Sequence, residues 1–340
     1  MEILGDYTIQ KQLGAGAFGT VYLAEHRFIK RLFALKVLPD EVCSDPAFIR
    51  RFETRVAEIA ALDHPNISKI HNVSCHEGRY FVVTDPIIDS MEEVMHLDRF
   101  LQLKGKSLSE EEIEELLKQV ASALDYAHEK GVIHGSLKLS NILVAGAEKG
   151  YRLLLTDFGL TRLIGEGTCF LRLCEQIARS LTPVANFNSE KAISNSRNFI
   201  RSFAFLAPEQ KMLEGGSVDA KADVYAFGIL AYYMLVKKIP EGCFDLPSRA
   251  LPESVLNWDL FLTRCLQSNP NGRPQRLVLA MAEYLHAPKE QHPAEATKSD
   301  TQQITFEFPA KTEPVIDTST LKPLIKPPEI TRPEYEPAPP

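Results

Sequence analysis

The spacing of hydrophobic residues changes once along this chain, and that change limits the folds open to it. Up to about residue 85, short segments alternate like β-strands and surround one helix-like segment; the strands read YTIQKQL, GTVYLAEH, LFALKVL and YFVVT, and the helix reads FIRRFETRVAEIAALD. From about residue 90 to residue 286, the spacing is that of helices. A small β-rich part followed by a larger helical part predicts an α+β fold with two lobes.

One segment of the second part shows helical spacing clearly. In EEIEELLKQVASALDYAHEKG, apolar residues fall on one helix face, namely Ile113, Leu116, Leu117, Val120, Leu124 and Ala127. Gly131 follows, as expected at the end of a helix. The segment VYAFGILAYYMLV (224–236) is nearly all apolar but too short to span a bilayer, so we expect a buried helix there and no membrane span.

Length, charge and cysteine content exclude several classes of protein. The chain has 340 residues, 44% of them hydrophobic, which is enough for one large two-lobed domain or for two ordinary ones. Its net charge of -7 does not favour nucleic-acid binding, so we expect no nucleic-acid partner. The six cysteines form no CxxC pair, which indicates a reducing compartment. The N-terminus lacks a basic region, so we expect a cytoplasmic protein, although a non-hydrophobic export signal would escape this test.

The composition changes near residue 286, where the proline content rises. Eleven of the chain's 22 prolines lie from Pro288 onward. We therefore predict a folded domain over residues 1–286, with a small lobe over about 1–87 and a large lobe over about 88–286, and a disordered tail over 287–340. Within that tail, TQQITFEF (301–308) could pair as a strand with a partner, or the tail is only a linker.

A glycine-rich segment, LGAGAFGTV, lies between two predicted strands. Gly14, Gly16 and Gly19 allow the main chain to bend closely over an anion, with amide groups that can face phosphates. In a dinucleotide-binding fold a helix would follow the glycines, whereas the β-branched TVYL follows here. The motif taken alone leaves phosphate binding undecided.

Two charged residues lie in apolar surroundings. Lys36, in the strand-like ALKVL, either needs an anionic partner or is an edge-strand lysine that points to water. Asp157 follows an apolar strand in LLLTDFGL. It either holds a divalent cation together with phosphate oxygens or belongs to a plain turn.

The order of these motifs is more specific than any one of them. The glycine-rich segment and Lys36 are followed at sensible distances by VIHGSLKLSNIL, TDFGL, AFLAPEQ, DVYAFG and NPNGRP. This series resembles the signature motifs of protein kinases. Over about residues 1–286, the chain is similar to the eukaryotic-like (Hanks-type) Ser/Thr protein kinases of bacteria. The resemblance implies a two-lobed kinase fold with ATP and Mg²⁺ as cofactors and a protein substrate or binding partner that the sequence does not identify.

The resemblance also implies a role for individual positions. The residues implied to hold ATP are Gly14, Gly16, Gly19 and Lys36 at the phosphates, and Val21, Ala34, Thr84, Asp85, Ile87 and Leu143 at the adenine. Those implied to hold magnesium are Asn141 and Asp157, and Lys138 is implied to reach the γ-phosphate. Structural roles are implied for Asp223, which would tie the large lobe to the catalytic loop, for Ser202, which would support that loop, and for an ion pair of Glu209 with Arg273.

The catalytic loop departs from the family pattern, because the motif HRD reads HGS here. Ser136 stands where the family has the Asp that accepts the proton of the substrate hydroxyl, and a serine hydroxyl is not a base at neutral pH. General-base catalysis is worth about 100- to 10,000-fold, or roughly 3–5 kcal/mol. We therefore predict a protein that binds Mg-ATP but transfers phosphate weakly or not at all. An active Ser/Thr kinase with an atypical loop and an interaction module that needs no nucleotide are the alternatives.

Further departures concern the surroundings of that loop. Gly135 replaces the arginine that would bind a phosphorylated activation segment, so switching by that route is not expected. Arg55 falls where the family has the helix glutamate that pairs with Lys36; Glu58 could substitute, or the helix is rotated with Arg55 in solvent. In the long segment 157–209, FLRLCEQIARSL predicts a helix that either docks a partner or packs under the large lobe.

Overall fold

The computed structural model describes residues 2–16, 19–44, 46–89, 91–104, 108–146, 150–159, 202–211 and 219–289. Within these residues, the strand-like segments of the first part form one sheet. Its strands are β1 (Ile3–Leu4), β2 (Tyr7–Gly16), β3 (Gly19–His26), β4 (Leu32–Val37), β5 (Ile70–His76) and β6 (Arg79–Thr84). Neighbouring strands are antiparallel, in the order β1-β2-β3-β4-β6-β5. This sheet makes up most of the small lobe.

Two helices, α1 (Asp40–Cys43) and α2 (Pro46–Ala60), complete the small lobe. Phe48, Phe52 and Ile59 of α2 are buried, and the Phe52 ring lies 5.1 Å from the ring of Tyr80 on β6. Each fully buried aromatic or aliphatic side chain of this kind stabilises the fold by about 1.5–3 kcal/mol. Hydrophobic packing therefore holds the predicted helix against the sheet.

The large lobe is mainly helical, as predicted. Its elements are α3 (Leu97–Lys104), α4 (Glu110–Glu129), β7 (Ile142–Gly146), β8 (Tyr151–Leu155), α5 (Ala220–Val236), α6 (Pro247–Ala250), α7 (Trp258–Cys265) and α8 (Leu277–Tyr284), with short 3₁₀ turns at Leu139–Asn141, Pro208–Lys211 and Pro270–Gly272. The two lobes belong to one compact unit, Met1–Lys289. The α+β, two-lobed fold class is thus confirmed. The helix predicted within 157–209 and, from residue 290, the predicted tail lie outside the described residues.

Helix α4 is the centre of the large lobe. Ser109 caps its first turn: the side chain accepts a hydrogen bond from Glu112 N–H, and the Glu112 carboxylate accepts one from Ser109 N–H. All six residues predicted on its apolar face are buried. The chain turns away at Gly131, whose φ of +74° favours glycine. On another face of α4, the buried Asp125 accepts hydrogen bonds from the first two N–H groups of α8, those of Leu277 and Val278.

Helix α5 contains the apolar segment 224–236 and is buried over most of its length, as predicted. Asp219 caps its start by accepting a hydrogen bond from Lys221 N–H. Within the described ranges, no helix combines the length and the apolar character that crossing a bilayer requires.

Candidate active site

A cavity of about 270 Å³ lies between the small-lobe sheet and the β7–β8 ribbon. All thirteen residues predicted to bind the nucleotide, its γ-phosphate or a metal line it together: Gly14, Gly16, Gly19, Val21, Ala34, Lys36, Thr84, Asp85, Ile87, Lys138, Asn141, Leu143 and Asp157. Ser136, which is also described, is the one predicted site residue outside the lining. The fold therefore brings into one place residues that are up to 143 positions apart in the sequence, Gly14 and Asp157.

The β2–β3 hairpin covers one end of the cavity with the glycine-rich segment. Gly14 pairs with Val21 and Gly16 pairs with Gly19 across the hairpin. At Gly19, φ is +119°, and a Cβ atom would lie 2.0 Å from the carbonyl oxygen of Val37. Gly19 is thus required by the approach of β3 to β4, whereas a Cβ at Gly14 would meet no atom within 4 Å.

An ion pair links the two lobes inside the cavity. Lys36 Nζ lies 2.5 Å from Asp157 Oδ2, and these side chains are 16% and 13% exposed. Within the part of the chain that the structure describes, Asp157 supplies an anionic partner of the kind that the surroundings of Lys36 require. Arg55 and Glu58 are both exposed and line a separate small hollow beside Gly131 rather than this cavity. Of the two alternatives, the structure therefore agrees with an exposed Arg55, and it does not bring Glu58 to Lys36.

The side chain that α2 sends into the cavity is that of Ile59. It is buried, and a Cβ added to Gly159 would lie 2.7 Å from Ile59 Cδ1. Because Gly159 also has a φ of +65°, the close approach of α2 to the segment after Asp157 needs glycine there. Leu62, Ile67, Leu155 and Phe158 also line the cavity, and no motif in the sequence predicted these four residues there.

The β7–β8 ribbon places the two predicted metal ligands side by side. Ile142 pairs with Leu155, so Asn141 and Asp157 lie at the same end of the ribbon. Thr156 N–H donates a hydrogen bond to the Asn141 carbonyl at 2.9 Å, which fixes this end. Among the described residues, no group of three or more His, Cys, Asp or Glu side chains could hold a metal ion by itself. A cation at Asn141 and Asp157 would therefore need further oxygen ligands from a bound molecule or water.

A buried carboxylate, that of Asp223 on α5, holds the catalytic loop. Asp223 is 1% exposed and accepts hydrogen bonds from His134 N–H and Gly135 N–H, both at 2.8 Å, and its Oδ2 lies 2.8 Å from His128 Nε2. Burial alone would raise the pKa of Asp223, but these hydrogen bonds and the nearby histidines outweigh burial and hold that pKa below its ordinary value. The tie between the large lobe and the loop that the resemblance implied is thus present.

Gly135 occupies a main-chain conformation that a side chain would strain. Its φ is +73°, its N–H is bound by Asp223, and its carbonyl accepts a hydrogen bond from Gln210 Nε2 at 3.1 Å. The Gln210 side chain also accepts a hydrogen bond from Ala207 N–H at 3.0 Å. This link from the segment 207–210 to the catalytic loop was not predicted, because nothing in the sequence relates Gln210 to Gly135.

The hydroxyl of Ser136 lies beside Asn141. Asn141 Nδ2 donates to the Ser136 carbonyl at 2.9 Å and lies 3.5 Å from Ser136 Oγ. Lys138 Nζ lies 3.5 Å from Ser202 Oγ, and burial lowers the pKa of Lys138. The ring of His134 packs 4.6 Å from that of Phe158, and burial lowers the pKa of this imidazole as well. The loop thus presents a hydroxyl, an amide and a buried amine near the cavity.

A second buried ion pair, between Arg273 and Glu209, lies in the large lobe. Arg273 donates from Nη1 to Glu209 Oε1 at 2.6 Å and from Nη2 to Glu209 Oε2 at 2.8 Å. The Arg273 side chain is fully buried, and its Nε donates to the Gln267 carbonyl at 2.8 Å. This two-bond pairing fixes the turn at Pro208–Lys211, which contains Gln210, the residue that donates to the Gly135 carbonyl.

Comparison with known proteins gives the family to which this architecture corresponds. The protein kinase domain profile matches residues 7–245. The serine/threonine-protein kinase pkn1 of Chlamydia caviae is 34% identical over 278 residues, which are 82% of this chain and 41% of that protein. The serine/threonine-protein kinase PknJ of Mycobacterium tuberculosis is 32% identical over 240 residues, which are 70% of this chain and 35% of that protein.

The solved structures that resemble this chain agree in fold. The kinase domain of PknI from Mycobacterium tuberculosis superposes with a TM-score of 0.60 at 24% identity, over 83% of this chain and 98% of that domain. At this identity the likeness concerns the fold alone. The chain spans about two-fifths of the length of the first curated relatives that it matches. The sequence profile, the relatives and the fold agree, and the chain belongs to the protein kinase family, in its bacterial Ser/Thr (Hanks-type) branch.

Proposed function

We propose that this protein binds Mg-ATP in the cavity between its lobes and transfers phosphate to protein Ser or Thr weakly or not at all. The kinase fold implies ATP as the nucleotide. The observation that carries the second part is Ser136, which stands at the position of the family's catalytic Asp and whose hydroxyl lies 3.5 Å from the Asn141 amide. A serine hydroxyl orients a substrate hydroxyl but does not take its proton at neutral pH.

The lining of the cavity supports a nucleotide with its base at the Thr84 end. Val21 and Ala34 come from the sheet and Leu143 from the large lobe, so that a flat ring would be enclosed by apolar side chains. Main-chain groups of Asp85 and Ile87, just after β6, are the hydrogen-bonding groups proposed for the base. The glycine-rich hairpin and Lys36 are proposed to hold the phosphates, for which Lys36 would exchange its contact with Asp157.

The donor set at the end of the ribbon fits magnesium. Asn141 uses its Nδ2 on the Ser136 carbonyl, which leaves an amide oxygen as the metal ligand, and Asp157 adds a carboxylate. Two hard oxygen ligands completed by phosphate and water are what Mg²⁺ prefers in nucleotide sites. Bound there, the cation would neutralise charge on the phosphates. The residues of this chain would hold it and would position Lys138 beside the transferred group.

A second candidate function is an active Ser/Thr kinase with an atypical loop. One observation favours it: Lys138, Asn141 and Asp157 all line the cavity, and the Glu209–Arg273 pair under the site is complete. Because phosphoryl transfer depends mainly on positioning and electrostatic stabilisation, such a site retains part of its rate without a base. A third candidate, an interaction module that uses no nucleotide, predicts no response to ATP.

Two measurements on the full chain separate these functions. The first is transfer of labelled phosphate from Mg-ATP to the protein itself and to a generic acceptor, with Asp157→Ala as the control. The second is the melting temperature with and without Mg-ATP, which rises by mass action if the nucleotide binds. We expect stabilisation with little or no transfer. Transfer lost in Asp157→Ala would establish the active kinase, and no change in melting temperature would refute nucleotide binding.

The remaining predictions from the sequence are proposals about the whole protein. We propose that the kinase domain ends near residue 286, that the partners are ATP and a protein, and that the protein acts in the cytoplasm without nucleic acid. Limited proteolysis with mass spectrometry would test the domain boundary, because cleavage should concentrate beyond that residue.

A further inference from the structure

The carboxylate of Asp85, at the base end of the cavity, is bound from both sides by the small lobe. Asp85 Oδ1 accepts a hydrogen bond from Arg31 Nη2 at 2.7 Å. The same oxygen lies 2.9 Å from His71 Nε2. Asp85 also lines the cavity, so a residue of its wall is fixed by two side chains that do not line it.

The register of the sheet explains why these side chains meet. Strand β6 lies between β4 and β5, and its last residue, Thr84, pairs with Ala34 on one side and with Ile70 on the other. Arg31 immediately precedes β4, and His71 follows Ile70 in β5. Both side chains therefore come alongside Asp85, that of Arg31 from the residue before β4 and that of His71 from β5.

The ring of Phe33 supports both side chains from within the lobe. Phe33 is buried; the Arg31 guanidinium lies 5.1 Å from its ring centroid, and the His71 ring lies 5.7 Å from it in an edge-on arrangement. Stacking on an aromatic face restricts the rotamers of a long cationic side chain and adds to its attraction. The Arg31 side chain is 57% exposed, and the cluster of Arg31, His71 and Asp85 is held by packing on Phe33 as well as by charge.

We infer that Arg31 and His71 are positioning residues that set the affinity of the cavity for the nucleotide base without touching it. By keeping the Asp85 carboxylate bound to the small lobe, they fix the main chain of Thr84 and Asp85 at the wall where the base is proposed to bind. This inference rests on the proposed function, because it assigns one end of the cavity to a base. Freed from the two side chains, Asp85 would rotate and its main chain would lose the fixed orientation that a planar ligand needs.

Calorimetric titration of the full chain with three probes tests the inference. The probes are Mg-ATP, adenosine, and inorganic tripolyphosphate with Mg²⁺. Adenosine carries only the base and its sugar, tripolyphosphate carries only phosphates, and Mg-ATP carries both. In Arg31→Gln and in His71→Phe, we expect the Kd for adenosine and for Mg-ATP to rise by about fivefold, the ratio for one ordinary hydrogen bond. The Kd for tripolyphosphate should stay unchanged. Lys30→Gln is the matched control, because Lys30 is a neighbouring exposed cation paired with Glu25 at 3.2 Å.

A double variant adds a test that a general loss of stability would not pass. In an Asp85→Ala background, which has no side-chain acceptor for Arg31, adding Arg31→Gln should change the Kd for adenosine no further, because both substitutions remove the same contact. Equal Kd values for adenosine in wild type and in the single variants would overturn the inference but leave the proposed function standing. Parallel loss of adenosine and tripolyphosphate binding would also overturn it, as damage to the whole site. If the wild type binds neither adenosine nor Mg-ATP, the proposed function fails and the inference fails with it. His71→Asn replaces His71→Phe if that variant does not fold.

Discussion

Replacing Asp223 by asparagine tests whether one buried carboxylate holds the catalytic loop in shape. Its two oxygens accept from His134 N–H, Gly135 N–H and the His128 side chain, each at 2.8 Å. An asparagine at this place keeps the volume but offers an NH₂ group where a donor already points. One main-chain N–H or the imidazole must then lose its partner inside the protein.

The expected cost follows from these contacts. Leaving one donor unsatisfied in a buried place costs about 1–3 kcal/mol, and removing one partner from a buried charged network costs about 3–5 kcal/mol. We therefore expect Asp223→Asn to lower the free energy of unfolding by about 3 kcal/mol. For a domain of this size, that corresponds to roughly 6–12 °C in melting temperature.

Urea unfolding followed by tryptophan fluorescence and circular dichroism measures this change. Asp219→Asn is the matched control, because Asp219 is exposed at the start of the same helix and asparagine caps a helix equally well. A loss below about 1 kcal/mol in Asp223→Asn, or an equal loss in both variants, would refute the reasoning.

The pH dependence of that difference has a definite sign. The folded protein holds the pKa of Asp223 below its ordinary value of 3.8, chiefly through the hydrogen bond from His128 acting against burial. The stabilisation is therefore complete above that ordinary value and is lost as the pH falls through the lower pKa of the folded state. The difference in the free energy of unfolding between wild type and Asp223→Asn should be constant near neutral pH and should become smaller below about pH 4. A gap that widens on acidification would contradict the assigned pKa direction.

Two further substitutions are predicted from contacts in the structure. Gly19→Ala should raise the Kd for Mg-ATP by about tenfold or more, because its Cβ would lie 2.0 Å from the Val37 carbonyl oxygen. Gly14→Ala is the control, because a Cβ there meets no atom within 4 Å, and it should change the Kd by less than about twofold. Equal Kd changes in the two variants, measured by calorimetric titration, would contradict the steric conflict at Gly19. Arg273→Met should lower the free energy of unfolding by about 3–5 kcal/mol, because Glu209 then keeps its charge without a partner. Adding Glu209→Gln should recover part of that loss, as measured by chemical denaturation. Strictly additive losses from the two substitutions would refute the coupling between the two side chains.

The sequence was sufficient for the fold and for most of the cavity wall. Periodicity separates a strand-rich part from a helical part, and the sheet and helices follow it closely because burial of apolar faces decides both. The motifs around Lys36, Asn141 and Asp157 identify the candidate site residues along the chain. The β7–β8 ribbon then brings two of these residues together through the pairing of Ile142 with Leu155.

The contacts that the sequence did not predict depend on tertiary geometry. Which carboxylate faces Lys36 is decided by how α2 sits against the sheet, and helical spacing left open whether Glu58 reaches it. The cluster at Asp85 depends on the strand order β4-β6-β5 and on the irregular pairing after Ile70, neither of which local pattern contains. Gln210 reaches Gly135 across 75 positions, and an amide side chain carries no sign of its partner.

Ser136→Asp is the most direct test of the central claim that the missing base limits phosphate transfer. The measurement is labelled-phosphate transfer from Mg-ATP by wild type, Ser136→Asp and Ser136→Asn, where asparagine matches the size of aspartate without being a base. We expect Ser136→Asp to transfer phosphate about 100- to 10,000-fold faster than wild type, and Ser136→Asn to show no gain. Equal rates for wild type and Ser136→Asp would contradict the account, as would a gain of the same size in Ser136→Asn.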